Sequence, residues 1–185
     1  MLPRGFCCQV KSLRAASPLL ENSMEMGIVG LPAPPLKHVR WIDEDGAERS
    51  PLTLAELGRG FTILYFFQDW CAGCHRHGFP TIVTLAEGLR DKRVGLAVIQ
   101  TVFEGSEVNT FDRLRENQRR YGLRVPFGHT VADSATVDAV PTIIESYRSG
   151  GTPWFVVIAP DNRVVYDGFL LAADGIIQAF RPLGA

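Results

Sequence analysis

Phe61-Thr62-Ile63-Leu64-Tyr65-Phe66-Phe67 runs directly into Gln68-Asp69-Trp70-Cys71-Ala72-Gly73-Cys74-His75, and the reading of that junction decides the fold. An apolar run rich in aromatic side chains that ends beside polar ones predicts a buried strand. Downstream, Phe79, Ile82, Val83, Ala86 and Leu89 recur at helical spacing, so a helix follows. The cysteine pair therefore stands where a strand hands over to a helix.

That location gives the pair its chemistry. Two cysteines separated by two residues on the first turn of a helix can close a small disulfide ring. The first of them faces unpaired backbone N–H groups and the positive end of the helix dipole. In such settings a cysteine pKa falls from about 8.5 to between roughly 3.5 and 7.5, which raises the thiolate fraction at neutral pH. Cys71 is the candidate nucleophile. Cys74, one turn further in, is the candidate resolving thiol that attacks a mixed disulfide on Cys71. Run backwards, the same steps oxidise a substrate, so the motif alone leaves the direction open.

The chain has 185 residues, 46% of them hydrophobic, which suffices for one well-filled core and is short for two domains. Its formal net charge is −1, with both signs interspersed, which argues against a nucleic-acid or anionic-membrane footprint. Of the four cysteines, two are in the motif and two, Cys7 and Cys8, are adjacent near the start, where they are expected to be incidental. No run approaches the ~18 apolar residues of a membrane span. The unbroken apolar region of about 7–15 residues that a secretory signal needs is missing as well. A cytoplasmic location is the expectation, with export as the alternative. Residues 1–30 are expected to form a poorly ordered extension and 31–185 a single domain.

Three prolines between Leu31 and Pro35 suit an extended lead-in. Leu36 to Ile42 predicts a short strand, Asp43 to Gly46 a turn, and Leu52 to Leu57 a helical turn ending at Gly58 or Gly60. Val94 to Phe103 predicts a second apolar strand, parallel to the first through a right-handed crossover. Asn109 to Tyr121 has the clearest helical pattern, with Phe111, Leu114 and Tyr121 on one face, Asn109 as cap and Gly122 as terminator. Its basic face is expected to be solvated surface. Val125 to Thr130 predicts a strand, Pro141 to Tyr147 a helix with proline at its first position, and Trp154 to Ala159 with Val164 to Phe169 an antiparallel hairpin. A last helix from about Ala172 to Phe180 is expected to bury Ile176, Ile177 and Phe180.

Three features in this order, the strand ending in Trp70-Cys71-Ala72-Gly73-Cys74, the proline at Pro80, and Gly151-Thr152-Pro153 before a second apolar strand, resemble the thioredoxin superfamily. The resemblance covers about Gly30 to Arg181 and is narrower to the TlpA-like and redoxin (AhpC/TSA-related) branch, because the interval from Thr101 to Ser149 is longer than a minimal thioredoxin needs. It implies an α/β thioredoxin-like fold: a central mixed β-sheet flanked by helices, an N-terminal β-hairpin, and an inserted βα unit between the central strand and a cis-proline. It further implies that Pro153 follows a cis bond and lies against the cysteines, with Trp70, Thr152 and Pro153 shaping the substrate groove and the Thr152 backbone pairing with an extended substrate. The implied partners are protein or small-molecule thiols and disulfides and an upstream electron donor, with no cofactor, no metal and a monomeric state.

The sequence departs from the pattern in two places. Tyr65 stands where classical thioredoxins carry a buried aspartate, and the glutamate that TlpA-like reductases carry after the second cysteine falls on His77 or Gly78. No acidic residue occurs between Cys74 and Glu87. His75 and His77 are then the nearest candidates for proton transfer or thiolate tuning, with reference pKa about 6.5, and Asp69 is a weaker one. Rival readings are c-type haem attachment at Cys71-Ala72-Gly73-Cys74-His75, zinc binding by the same residues, a redoxin-type thiol peroxidase, and a thioredoxin-like binding module sensitive to redox state.

Overall fold

A computed structural model describes residues 26–58, 60–90, 92–130 and 142–180. Cys7, Cys8, residues 1–25 of the expected extension over 1–30, and Pro141 lie outside the described residues. The apolar run forms β3 (Phe61–Phe67), at the centre of the architecture. It pairs in parallel with β4 (Val94–Gln100) and antiparallel with β6 (Trp154–Ile158). Outward from these lie β1 (Val39–Ile42), β2 (Glu48–Arg49), β5 (Phe127–Thr130) and β7 (Val164–Gly168), and the seven-stranded mixed sheet has the order β2-β1-β5-β4-β3-β6-β7.

Both faces of the sheet are covered, which is why the central strands carry apolar residues on both faces instead of alternating. Leu64, Phe66, Ala97, Ile99, Val156 and Ile158 point to one layer, where Ile143, Ile144 and Tyr147 of and just after α3 (Thr142–Ser146) close over them. Ile63, Tyr65, Phe67, Val98, Phe155 and Val157 point to the other, under α1 (Phe79–Gly88), α2 (Phe111–Arg120) and α4 (Ala173–Ala179). The α/β class, the mixed sheet, the N-terminal hairpin of β1 and β2, and the added β5 and α3 before Thr152 follow the expectation. Among the described residues no helix is long and apolar enough to cross a membrane.

Local readings are corrected at several points. The first strand starts at Val39, because His38 takes a φ of 55° that breaks extended backbone. The cap of α2 is Thr110, whose hydroxyl accepts from the Arg113 N–H; Asn109 faces inward at 1% exposure. Much of the basic face of α2 is paired, Arg113 with Glu116 and Arg115 with Glu48, and Arg115 also lies over the Phe111 ring. Ile176, Ile177 and Phe180 are only partly buried against the core. The packed chain also begins before residue 31. Ile28 is 4% exposed, the Gly27 N–H donates to the Arg148 carbonyl, and the Gly30 N–H donates to that of Val164.

Candidate active site

β3 ends at Phe67, and the chain turns through Gln68 to Trp70 into a helix. Its segment Cys74–Gly78 is wound as a π turn, in which the Phe79 N–H donates to the Cys74 carbonyl. Pro80 has no N–H for the carbonyl four residues back, and the wider turn falls just before it. This arrangement buries both sulfurs at the helix start: Cys71 is 7% exposed and Cys74 0%, and both are free thiols.

The Cys74 backbone N–H donates to Cys71 Sγ over 3.2 Å, and the Cys71 thiol donates to the Thr152 carbonyl oxygen over 3.4 Å. Residues 81 positions apart in sequence are thus in contact. The Thr152–Pro153 peptide is cis. Gly73 sits under this contact: a Cβ there would lie 3.4 Å from Pro153 Cδ and 3.9 Å from Cys71 Sγ. On the rim, Trp70 is 51% exposed, with its indole against Gly105. A groove of about 1170 Å³ lined by Leu36, Pro51, Leu52 and Leu54 contains none of these residues. Of the two cysteines, Cys71 alone keeps some exposure, beside the rim that Trp70 forms.

Burial first, and then the hydrogen bond with Cys71, push the Cys74 thiol up to about 12. From the core side the Tyr65 hydroxyl donates to the Cys74 carbonyl over 3.1 Å, with the ring held among Phe67, Phe79 and Phe155. Gly78 makes this possible, because a Cβ at that position would lie 2.1 Å from Tyr65 Oη.

A polar network supports the site from the side. The Thr152 hydroxyl donates to Gln68 Oε1, and Gln68 Nε2 donates to the Glu104 carbonyl. Asn109 Oδ1 accepts from the Asp69 N–H over 2.6 Å and from Gln100 Nε2 over 3.4 Å, while its Nδ2 donates to the carbonyls of Glu104 and Gly105. The Asp69 carboxylate accepts from Asn117 Nδ2 and faces Arg113. His75 Nε2–H donates to the Asp69 carbonyl over 2.6 Å, which leaves Nδ1 to accept from the Tyr121 hydroxyl over 2.7 Å. Both ring nitrogens are therefore occupied.

Of the residues singled out from the sequence, Cys71, Cys74, Thr152 and Pro153 come together, and Trp70 lies beside them. His75, a candidate for proton transfer or thiolate tuning, braces the loop through both ring nitrogens. His77 is exposed, on the outer face of the helix. Gln68 and Asn117 escaped the sequence reading, and Asn109 entered it only as a helix cap; polar residues at strand ends and in a helix look like surface until the fold buries them. The signal for Tyr65 was present as a departure without a consequence.

No protein-family model matches the chain, and no curated protein does. Solved structures do match. A protein of the thioredoxin-like superfamily is 27% identical with a TM-score of 0.64, over 80% of this chain and 92% of that one. A thiol-disulfide isomerase from Corynebacterium glutamicum is 20% identical with a TM-score of 0.66, over 82% and 98%. A thiol:disulfide interchange protein of the thioredoxin family from Chlorobium tepidum is 17% identical with a TM-score of 0.58, over 84% and 97%. The chain has a thioredoxin-like fold.

Proposed function

We propose, from the premise of that fold, that this protein is a thiol–disulfide oxidoreductase that exchanges its Cys71–Cys74 pair with the cysteines of a substrate. The observation that carries the reading is the contact of Cys71 Sγ with two backbone groups at once, the Cys74 N–H and the Thr152 carbonyl. The N–H favours the thiolate. Ionisation removes the S–H that the Thr152 carbonyl accepts, and that oxygen is then available to a backbone N–H of an extended substrate. The added β5 and α3, between β4 and Thr152, favour the TlpA-like branch, and the names of the matched structures favour the same class of chemistry.

In this mechanism the Cys71 thiolate attacks one sulfur of a substrate disulfide. The other sulfur leaves as a thiolate and takes up a proton. Cys74 then attacks Cys71 Sγ, which forms the internal disulfide and releases the second substrate thiol. Trp70 and Pro153 flank the approach. Changing Cys74 to serine is expected to trap a mixed disulfide on Cys71, read by peptide mapping under non-reducing conditions. Capture through Cys7 or Cys8 in its place would defeat the assignment.

A further inference from the structure

For Cys74 to attack a mixed disulfide its thiol must ionise, against the burial that holds it up. On the loop side the Gln68 backbone N–H and the Thr152 hydroxyl favour the Cys74 thiolate without offsetting its burial, and the ionisable groups there are committed elsewhere. Asp69 is held by Asn117 and Arg113, both nitrogens of His75 are occupied, and His77 points outward. The polar side chain that reaches residue 74 from the core is Tyr65. Its ring is fully buried in an aromatic cage, its hydroxyl is fixed on the Cys74 carbonyl, and the missing side chain at Gly78 leaves the space it fills. A phenol O–H rotates about its C–O bond and can serve either of two nearby acceptors without moving the ring.

We propose, on the oxidoreductase reading above, that the Tyr65 hydroxyl takes the place of the missing acidic side chain in the resolving step, offering its hydrogen bond to Cys74 as that thiol ionises. Bonds and charges balance without a further reactant. The Cys74 S–H gives up its proton and the Cys74–Cys71 bond forms. The bond from Cys71 to the substrate sulfur breaks, and the departing thiolate takes up the proton that Cys74 gave up, directly or through solvent. The two cysteines are oxidised to a disulfide and the substrate disulfide is reduced to two thiols. Tyr65 keeps its own proton throughout. Burial first, and then the Cys74 thiol, hold the phenol well above its usual range, so it is a donor at neutral pH and never a base. The titratable groups that bear on it are Cys74, Cys71 and Tyr121, and the aromatic walls add none.

The test uses the full chain with Cys7→Ser and Cys8→Ser, leaving two thiols. Reduced protein is mixed with one equivalent of dithiobis-nitrobenzoate, a disulfide whose released thiolate is coloured. The first release reports attack by Cys71 and the second reports resolution by Cys74. Tyr65→Phe, which keeps the ring, is expected to leave the first phase within about twofold and to slow the second about tenfold. The pH midpoint of the second phase should rise by about one unit. A merely structural role would slow both phases together and leave the midpoint in place. Gly78→Ala, whose methyl must displace the hydroxyl, is expected to produce the same selective loss with Tyr65 retained. A second phase unchanged in rate and midpoint in either folded variant overturns the proposal. A parent protein that never releases the second thiolate would instead sink the two-cysteine mechanism itself.

Discussion

The Cys74 backbone N–H donates to the Cys71 sulfur over 3.2 Å, while the Cys74 sulfur itself lies fully buried behind it. One residue therefore stabilises its neighbour's negative charge through its amide and avoids negative charge on its own side chain. At pH 7 iodoacetamide is expected to modify Cys71 at least about tenfold faster than Cys74, because only the thiolate reacts. Cys74, pushed up to about 12, should resist until strongly alkaline pH. Time-resolved peptide mapping measures both rates, and equal rates would contradict the asymmetry.

Asn109 ties the loop before the cysteines to the loop after β4 through four hydrogen bonds. Asn109→Leu keeps the approximate volume and takes the acceptor from the Asp69 N–H and from Gln100 Nε2, while the Glu104 carbonyl keeps Gln68 Nε2 and the Gly105 carbonyl keeps the N–H groups of residues 108 and 109. Each orphaned buried group costs about 1–3 kcal/mol, so the variant should lose about 2 kcal/mol or more in urea unfolding. A loss below about 1 kcal/mol would mean that water replaces the side chain.

His129, beside Gln100 and near Arg40, is held down to about 4, first by burial and then by the Arg40 charge. It is neutral in the folded state and takes up a proton on unfolding at any pH between about 4 and its reference value near 6.5. Its effect on stability is therefore nil above about 6.5 and grows more unfavourable as pH falls towards 4, reaching at most about 3 kcal/mol. His129→Gln should flatten the upper part of that window, read as the difference in unfolding free energy between about pH 7.5 and about pH 5. A variant with the parent's acid sensitivity would rule this group out as its source.

Trp70 is half exposed on the rim, and burying an indole against a partner is among the larger single contributions to recognition. Trp70→Ala is expected to raise KM for a protein disulfide about tenfold and to leave the reaction with a small disulfide within about twofold. Steady-state kinetics with both substrates make the comparison, and a parallel loss with both would assign Trp70 to the folding of the loop.

The sequence made the frame legible because periodicity carries it. Phe61–Phe67 and Trp154–Ile158 are apolar on both faces, and only a sheet covered on both sides requires that. The cysteine spacing and Thr152-Pro153 pointed, through resemblance, to two segments that the structure brings into contact. What stayed hidden was burial of polar residues. Asn109 resembles a helix cap in sequence and is a core bracket in the structure, since Thr110 takes the cap. His75 and His77 look equivalent, yet the wide turn at Cys74–Gly78 sends one against Tyr121 and the other into solvent. Such distinctions arise from contacts between distant segments, which no local pattern encodes.

Tyr65 and Gly78 interlock so tightly that neither position is free to drift alone. Any larger residue at 78 collides with the phenol, and any small residue at 65 hollows out the layer beneath α1. A lineage exchanging this phenol for a carboxylate, or the reverse, must cross an overfilled or a vacant intermediate. The two sites should therefore be inherited together, as one character with two states.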